Sequence, residues 1–295
     1  MKLTQVKGNT YVLEGWGLIP LYKTDDTHCI LLDSGLKAER EELEASLKEY
    51  GLIPVGILSS HAHLDHAVNN RYFQETYNIP VALPEGEAGM CQSYFTLKCY
   101  YFMHSPEFVH SIEQDMIQKD VVTVGAEDGP FEFAGVTFHV IHTPGHAPDH
   151  ISVITPDNVC YVGDAVLSPQ GLKLPYAMSY GGVLESMEKL KKLDCPTFIL
   201  AHREVTDDFA AVADRFCDLI LGVGKKVVSF LTTPMTEDQI CATLCEELQI
   251  LTSRPRLAMG TARNIHTLME FLMEQGDVTM ISQRGVRYYI SARDT

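Results

Sequence analysis

The chain has no long apolar run and no excess of positive charge. No stretch approaches the ~18 consecutive apolar residues of a membrane-spanning helix, and the first ten residues lack the apolar core of a signal peptide. Lys and Arg number 23 against 39 Asp and Glu, so the formal net charge is -16. A surface of this charge repels polyanions. We therefore expect a cytoplasmic protein without a membrane segment, whose main partner is a small molecule; the charge disfavours a nucleic acid as partner without excluding it.

Cysteine is present but forms no framework. The eight Cys residues include no CxxC pair and no regular spacing, which argues against a disulfide framework. We interpret them as reduced, mostly buried thiols. Hydrophobic residues make up 45% of the 295-residue chain, which is enough for a globular core, and the length favours one large domain with or without an appendage.

The first two hundred residues alternate short β-rich runs with helical patterns. Two sheets packed face to face with helices outside would bury both sets of strands, so we predict an α+β fold, an αββα sandwich of two mixed β-sheets. The predicted helices are Lys37–Tyr50, ended by Gly51, and Val183–Leu193. The predicted strands are Tyr11–Glu14, His28–Leu32, Ile53–Ser59 and Val81–Leu83, then Val121–Val124, Val136–His142, Ile151–Ile154, Val159–Val162 and Thr197–Leu200.

Residues 85–120, between the two sets of strands, are rich in aromatic residues and Met. One interpretation is a pair of helices that packs on the core. The other is a lid that forms an apolar pocket for part of a substrate. The two interpretations are compatible, and both stay open here.

The pattern changes after residue 208. A long connecting helix over Phe209–Leu231 is followed by a helix at Thr236–Leu248, which opens with a capping box, and by a helix at Thr261–Gln275. Val278–Ser282 and Val286–Ile290 then predict a β-hairpin. Helix, helix and hairpin in this order resemble a winged-helix module. We therefore divide the chain into a catalytic domain, residues 1–208, and a C-terminal helical and winged-helix-like module, residues 209–295.

The charge of the tail argues against nucleic-acid binding. From Leu231 to Thr295 there are six Arg, no Lys and eight acidic residues, whereas a phosphate-binding module is normally basic. We expect the tail to serve dimerisation or closure of the pocket. We interpret its arginines as a solvated face; they include Arg254, Arg256, Arg263, Arg284 and Arg287.

The segment Ser-Ser-His-Ala-His-Leu-Asp-His, residues 59–66, carries the strongest chemical signal. It places His61, His63, Asp65 and His66 within six residues, directly after an apolar run. A strand that ends in such a turn can direct several side chains at one point. Imidazole nitrogen and carboxylate oxygen are ligands for divalent transition metals, zinc above all, with iron and manganese also compatible.

Three later apolar runs also end in a residue that can bind a metal. Thr-Pro-Gly precedes His146, Tyr-Val-Gly precedes Asp164, and Ile-Leu-Ala precedes His202. The full set is five His and two Asp, which exceeds the needs of one four-coordinate ion. It suits two divalent metal ions that share a bridging carboxylate.

The order HxHxDH, TPGH, GD and a late His resembles the metallo-β-lactamase-fold hydrolase superfamily over roughly residues 5–205. The resemblance implies that Asp33, in the segment Leu-Leu-Asp-Ser-Gly, supports the HxHxDH loop from behind. It also implies a ligand set in which the first metal is held by His61, His63 and His146, the second by Asp65, His66 and His202, and both by Asp164.

The resemblance has one departure and one open assignment. Superfamily members usually present the last ligand in a Gly-His pair, but here it is Ala201-His202. The imidazole is retained, and we expect Arg203 and Glu204 to lie near the mouth of the site. His150 follows the TPGH motif by four residues; we name it with Asp65 as a candidate catalytic residue, and a hydrogen-bonded supporting role is the alternative.

The resemblance implies hydrolysis by a hydroxide shared between two metals, with Asp65 orienting the attacking water or relaying its proton. We expect the substrate to be a small-molecule ester, thioester or lactone, as for hydroxyacylglutathione-hydrolase-like members, because the chain is acidic and residues 85–120 are apolar. The alternative is a metal-dependent endoribonuclease or phosphodiesterase, because β-lactamase-like endoribonucleases share the TPGHxxDH form and a winged-helix-like tail. HxHxDH differs from the HxExDH of flavo-diiron members, which argues against oxygen reduction.

Overall fold

A computed structural model of the chain describes residues 1–168, 170–202 and 204–292, without the side chain of Arg256. Within these residues, two mixed β-sheets pack face to face and carry helices on their outer faces. This arrangement confirms the predicted αββα sandwich. The helices α1 to α10 span Arg40–Glu49, Leu64–Ala67, Asn70–Tyr77, Glu85–Met90, Tyr94–Tyr100, Pro106–Met116, Tyr180–Leu190, Phe209–Phe230, Glu237–Glu247 and Pro255–Glu274.

The first sheet contains seven strands in chain order, β1 to β7. The first four are antiparallel, and the last four are parallel. Parallel strands need crossover connections, and the helices α1, α3 and α4 to α6 lie in those connections. The strands are Lys2–Lys7, Thr10–Glu14, Leu18–Lys23, His28–Leu32, Ile53–Leu58, Val81–Pro84 and Val122–Val124.

The second sheet has the order β13-β12-β11-β10-β9-β8 and is antiparallel except between β11 and β12. Its strands β8 to β13 span Gly129–Phe133, Val136–His142, Ile151–Ile154, Val159–Tyr161, Thr197–Leu200 and Glu204–Thr206. Two further strands, β14 (Val278–Gln283) and β15 (Val286–Ser291), form a separate antiparallel hairpin.

Alternating side chains on the central strands explain the layers. On β4, Ile30 and Leu32 face the second sheet, whereas Leu31 packs with α1 and α3 on the outside. On β12, Ile199 joins the core between the sheets, and Phe198 packs against α8. A strand buried on both faces reads as a continuous apolar run, which is the pattern that precedes His61, Asp164 and His202.

The segment 85–120 folds as α4, α5 and α6, which pack against the loop after β5. Leu97, Val109 and Met116 are buried there with Ala62, so the core-packing interpretation holds. Residues 100–104 of the same segment line the cavity at the metal ligands. The segment therefore also forms a wall of the site, as the second interpretation expected.

The C-terminal residues form α8, α9, α10 and the β14–β15 hairpin, in the predicted order. Thr236 caps α9 through the predicted capping box with Gln239. Ile265 and Leu268 of α10 belong to the apolar cluster that covers the outer face of the second sheet. The winged-helix assignment and the boundary at residue 208 stay predictions. Among the described residues, no helix has both the length and the apolar composition needed to cross a bilayer.

Candidate metal centre

The candidate ligands lie where strands of both sheets end. The HxHxDH segment directly follows β5 and enters α2. His146 lies in the loop between β9 and β10, Asp164 follows β11, and His202 follows β12. The structure brings all seven predicted ligands together in two groups, each of which keeps its ligand atoms within 4.8 Å of one another.

The first group consists of His61, His63 and His146. Nδ1 of His63 lies 2.9 Å from Nε2 of His61 and 2.9 Å from Nε2 of His146. Burial and the neighbouring imidazoles lower the pKa of all three rings. Neutral imidazoles keep a lone pair on the facing nitrogen, which is the form that binds a metal ion.

The second group consists of Asp65, His66, Asp164 and His202. Nε2 of His66 lies 3.7 Å from Asp65 Oδ2 and 3.5 Å from Asp164 Oδ1. Burial lowers the pKa of His66, but Asp164, Asp65 and Asp33 outweigh it and raise that pKa well above its ordinary value. The negative potential of these carboxylates therefore favours a positive charge at this point.

Asp164 faces both groups. Its Oδ2 lies 3.3 Å from His146 Nε2, and its Oδ1 lies 3.1 Å from His202 Nε2. Burial raises the pKa of Asp164, but the imidazoles of His66 and His146 outweigh it and hold the pKa well below its ordinary value. The carboxylate is thus ionised and reaches both groups.

The donor set fits divalent metal ions. Each donor is an imidazole nitrogen or a carboxylate oxygen, as zinc, iron and manganese accept. Within the described part of the chain, the buried atoms His66 Nε2 and Asp164 Oδ1 have no hydrogen-bond partner. Buried polar atoms without partners are unfavourable, and coordination of a cation would satisfy both.

Asp33 supports the HxHxDH loop, as the resemblance implied. Its Oδ1 accepts a 2.7 Å hydrogen bond from the amide of Ser60, and its Oδ2 lies 2.7 Å from Nδ1 of His66 and 2.5 Å from the Tyr161 hydroxyl. A proton on His66 Nδ1 leaves Nε2 free for a metal. Asp33 has a left-handed φ of 67°, a conformation that Asp tolerates better than most residues.

His150 lies behind the ligands and is fully buried. Its Nε2 accepts a 3.2 Å hydrogen bond from the amide of Asp164, and its Nδ1 lies 2.9 Å from Thr143 Oγ1. Both ring nitrogens are engaged, so the supporting role fits His150 better than contact with a substrate. Gly163 permits this packing, because a Cβ there would lie 2.7 Å from His150 Nε2.

Two residues that the sequence patterns did not mark also contribute to the site. The Tyr176 hydroxyl lies 3.4 Å from His63 Nε2, whereas Nδ1 of the same ring faces His61 and His146. The Arg263 guanidinium lies over the Tyr176 ring, with its central carbon 3.3 Å from the ring centroid. Arg263 is only 8% exposed, so its interpretation as part of a solvated face was wrong. Glu204 is the first residue of β13 and follows His202 by two positions. Arg203 lies outside the described residues, so its expected place near the mouth of the site stays a prediction.

A cavity of about 260 Å³ opens on one side of the ligands. His63, Asp65, His146 and Asp164 form its floor, and Arg263 lies in its wall. The rest of its lining is Leu64, Tyr100, Tyr101, Phe102, Met103, His104 and Tyr176. A second cavity of about 610 Å³ shares Asp65, His146, Asp164 and Tyr176 and extends toward Trp16 and His202. The ligands are therefore accessible from two sides, which suits a substrate with two parts around a scissile bond.

Known proteins match this architecture. The probable metallo-hydrolase YqgX of Bacillus subtilis is 27% identical over 188 residues, 62% of this chain and 83% of that protein. An atrochrysone carboxyl ACP thioesterase of Aspergillus chevalieri is 28% identical over 133 residues, and the chain spans 41% of its length. A crystal structure of a metallo-beta-lactamase family protein from Thermus thermophilus superposes with a TM-score of 0.71 at 21% identity, covering 98% of each chain.

The family model of the metallo-beta-lactamase superfamily matches residues 3–202. This range contains both sheets up to β12 and all seven candidate ligands. The match confirms the resemblance that the sequence motifs indicated, and it identifies the protein as a metal-dependent hydrolase. The chain belongs to the metallo-beta-lactamase superfamily.

Proposed function

We propose that the protein is a binuclear metal-dependent hydrolase that cleaves a small-molecule thioester, ester or lactone. The position of Asp164 carries the proposal, because its two oxygens reach toward the two groups of imidazoles at 3.1 and 3.3 Å. In this proposal His61, His63 and His146 hold one ion, and Asp65, His66 and His202 hold the other. Zinc is the expected metal, since the ligands are imidazoles and carboxylates.

Two divalent ions, when bound, would lower the pKa of a shared water toward neutrality and supply the hydroxide that attacks the carbonyl carbon. The protein's own groups then have separate tasks. Asp65 lies at the floor of both cavities, where its carboxylate can hold the proton that the nucleophile loses. His150 holds Asp164 by accepting a hydrogen bond from its amide. Asp33 holds the His66 ring through Nδ1.

The cavity wall favours a carbonyl substrate with a small apolar part. Tyr101, Phe102 and Met103 come from the 85–120 segment and line the 260 Å³ cavity. This volume suits a short acyl group and falls below the size of a typical drug-binding pocket. A relative named as an ACP thioesterase gives thioesters priority among the candidate substrates.

The test combines metal analysis with a substrate panel. We expect about two equivalents of zinc per chain and hydrolysis of a thioester, an aryl ester or a lactone. His61→Ala should lower the zinc content and abolish hydrolysis, whereas His110→Ala should change neither, because His110 is exposed on α6. Failure of the zinc-loaded protein on all three substrates, or cleavage of single-stranded RNA that Asp65→Ala abolishes, would overturn the proposal.

A further inference from the structure

Arg263 brings a positive charge into the wall of the metal cleft, and no carboxylate in the described part of the chain forms an ion pair with it. The guanidinium lies over the Tyr176 ring, and His63 of the ligand floor lines the same cavity. Nη1 donates a hydrogen bond to the Tyr176 hydroxyl, and Nη2 donates one of 3.0 Å to Asn264 Oδ1. Nε is buried and has no hydrogen-bond partner among the described residues. The guanidinium therefore keeps both charge and donor capacity that its surroundings do not satisfy.

A buried guanidinium without an anion is unfavourable. Removal of a charge from water costs free energy unless an opposite charge compensates it. The Tyr176 ring offsets part of this cost through its negatively polarised face, but a neutral ring does not cancel the charge. An anion that enters the cavity would complete the compensation, and it would find the guanidinium already held in position by Tyr176 and Asn264.

The guanidinium is close to the candidate metal ligands. Tyr176 connects the two, since its hydroxyl accepts from Arg263 and lies 3.4 Å from Nε2 of His63. His63, Tyr176 and Arg263 line the same cavity of about 260 Å³. One small molecule can therefore contact the guanidinium and the ligand floor at once.

We propose that Arg263 binds a carboxylate of the substrate, so that the protein prefers small thioesters or esters that carry an anionic group near the scissile carbonyl. A planar carboxylate matches the donor fork of a guanidinium. This inference rests on the proposed hydrolase function and names the substrate class within it. It also assigns a role in substrate binding to the C-terminal module, because Arg263 lies on α10 of that module.

A single arginine favours a single anion over a polyanion. Arg263 is the one Lys or Arg in the lining of this cavity among the described residues. Proteins that bind single-stranded nucleic acid use several cations along a groove, and this chain has a net charge of -16. A small carboxylate is therefore the better match than the backbone of RNA.

The test uses two matched thioesters on the zinc-loaded protein. S-succinyl-N-acetylcysteamine carries a free carboxylate, and its methyl ester has the same chain without the charge. We expect the wild type to prefer the acid. Arg263→Gln should reduce the ratio of kcat/KM for acid over methyl ester about 10- to 100-fold, the range for a lost hydrogen bond to a charged group. Arg263→Lys keeps the charge without the planar fork and should retain part of the preference.

Controls separate recognition from a structural role. Arg287→Gln removes an exposed arginine of the same module and should leave the ratio unchanged. If Arg263 only supported the fold, Arg263→Gln would lower both rates by one factor, and the unchanged ratio would overturn the inference while the hydrolase function stood. Hydrolysis of neither thioester, nor of the ester or lactone panel, would overturn the function itself. RNA cleavage that Arg263→Gln abolishes would assign the arginine to a phosphodiester instead.

A binding measurement gives a second readout that does not depend on turnover. Succinate and monomethyl succinate both keep one carboxylate that can reach the metal centre, and only succinate offers a second one to Arg263. We expect succinate to raise the Tm of the zinc-loaded wild type more than monomethyl succinate does, because ligands stabilise the state that they bind. Arg263→Gln should remove the difference. A difference that persists in Arg263→Gln would contradict the inference.

Discussion

The Tyr100 hydroxyl donates a 2.7 Å hydrogen bond to the Glu87 carboxylate, and both side chains are buried. The same carboxylate oxygen of Glu87 accepts a 2.9 Å hydrogen bond from the amide of Ala62, between two candidate ligands. The Tyr100 ring in turn stacks on His63 with 5.4 Å between centroids. Glu87 thus connects the 85–120 segment to the HxHxDH loop by hydrogen bonds, and this connection lies outside both β-sheets.

Loss of Glu87 should weaken this connection. Glu87→Ala leaves the Ala62 amide, the Tyr100 hydroxyl and the Asp149 amide without their acceptor, so we expect the free energy of unfolding to fall by about 2–4 kcal/mol. Tyr100→Phe removes one of the three hydrogen bonds and should cost about 1 kcal/mol. Urea denaturation of the zinc-loaded variants measures both. Equal losses would show that the hydrogen bonds to the main chain contribute nothing.

Asp33 should act on metal affinity. Asp33→Asn keeps the shape of the side chain and its left-handed backbone, but it removes the charge that faces Nδ1 of His66. We expect zinc affinity to fall about 10- to 100-fold, the usual effect of losing a partner behind a metal-bound His. Competition with a chromophoric chelator measures the change. Asp26→Asn alters an exposed carboxylate and should leave the affinity unchanged; an equal loss there would point to net charge as the cause.

The ion pairs of Asp115 should make stability depend on pH. Asp115 lies 2.6 Å from Lys37 Nζ and 3.1 Å from Arg40 Nη2. Burial raises the pKa of Asp115, but the hydrogen bonds from these two cations outweigh it, so the net pKa is lowered. The unfolded chain then takes up the proton at a higher pH than the folded chain. The stabilisation is present above the unfolded pKa, roughly 4, and is lost as the pH falls through the lower folded value.

Asp115→Asn should therefore lower the free energy of unfolding by about 1 kcal/mol at pH 7, and the difference from wild type should shrink below roughly pH 4. Urea titrations at pH 7, 5 and 3.5 provide the comparison. High salt should reduce the effect at pH 7, because both cations are partly exposed. A difference that stays constant from pH 7 to pH 3.5 would assign it to shape and not to charge.

The ligands His61, Asp164 and His202 were predictable because each follows a largely buried strand. Apolar runs before His61, Asp164 and His202 mark strands that are covered on both faces, and the turn after such a strand exposes the next polar side chain. The patterns did not mark four strands. Three of them, β1, β8 and β13, lie at sheet edges, where polar residues interrupt the apolar ones. The fourth, β3, is an interior strand that contains Pro20.

Tyr176 and Arg263 show where prediction from the sequence ended. Tyr176 lies in an irregular loop between β11 and α7, where no periodicity specifies direction. Arg263 lies on a helix whose apolar face was predicted, but the spacing of its apolar residues does not say what meets its polar ones. α10 starts at Pro255 and not at residue 261; a Pro at the first helical position was the available signal, and it would have placed Arg263 in the third turn.

Gly163 supplies the sharpest test of the backbone at the site. It has a φ of +50°, and a Cβ there would lie 2.7 Å from His150 Nε2 and 2.8 Å from Ser60 Oγ. Gly51 has a φ of +67° and no atom within 4 Å of the position that a Cβ would take, so it shares the backbone conformation without the close contacts.

Gly51→Ala should lower the free energy of unfolding by about 1 kcal/mol, the cost of a left-handed Ala. Gly163→Ala should cost about 2–4 kcal/mol and displace Asp164, so that zinc content falls as well. Zinc analysis with urea denaturation of the two variants separates these effects, and full zinc content in Gly163→Ala would show that the loop can shift without moving the carboxylate.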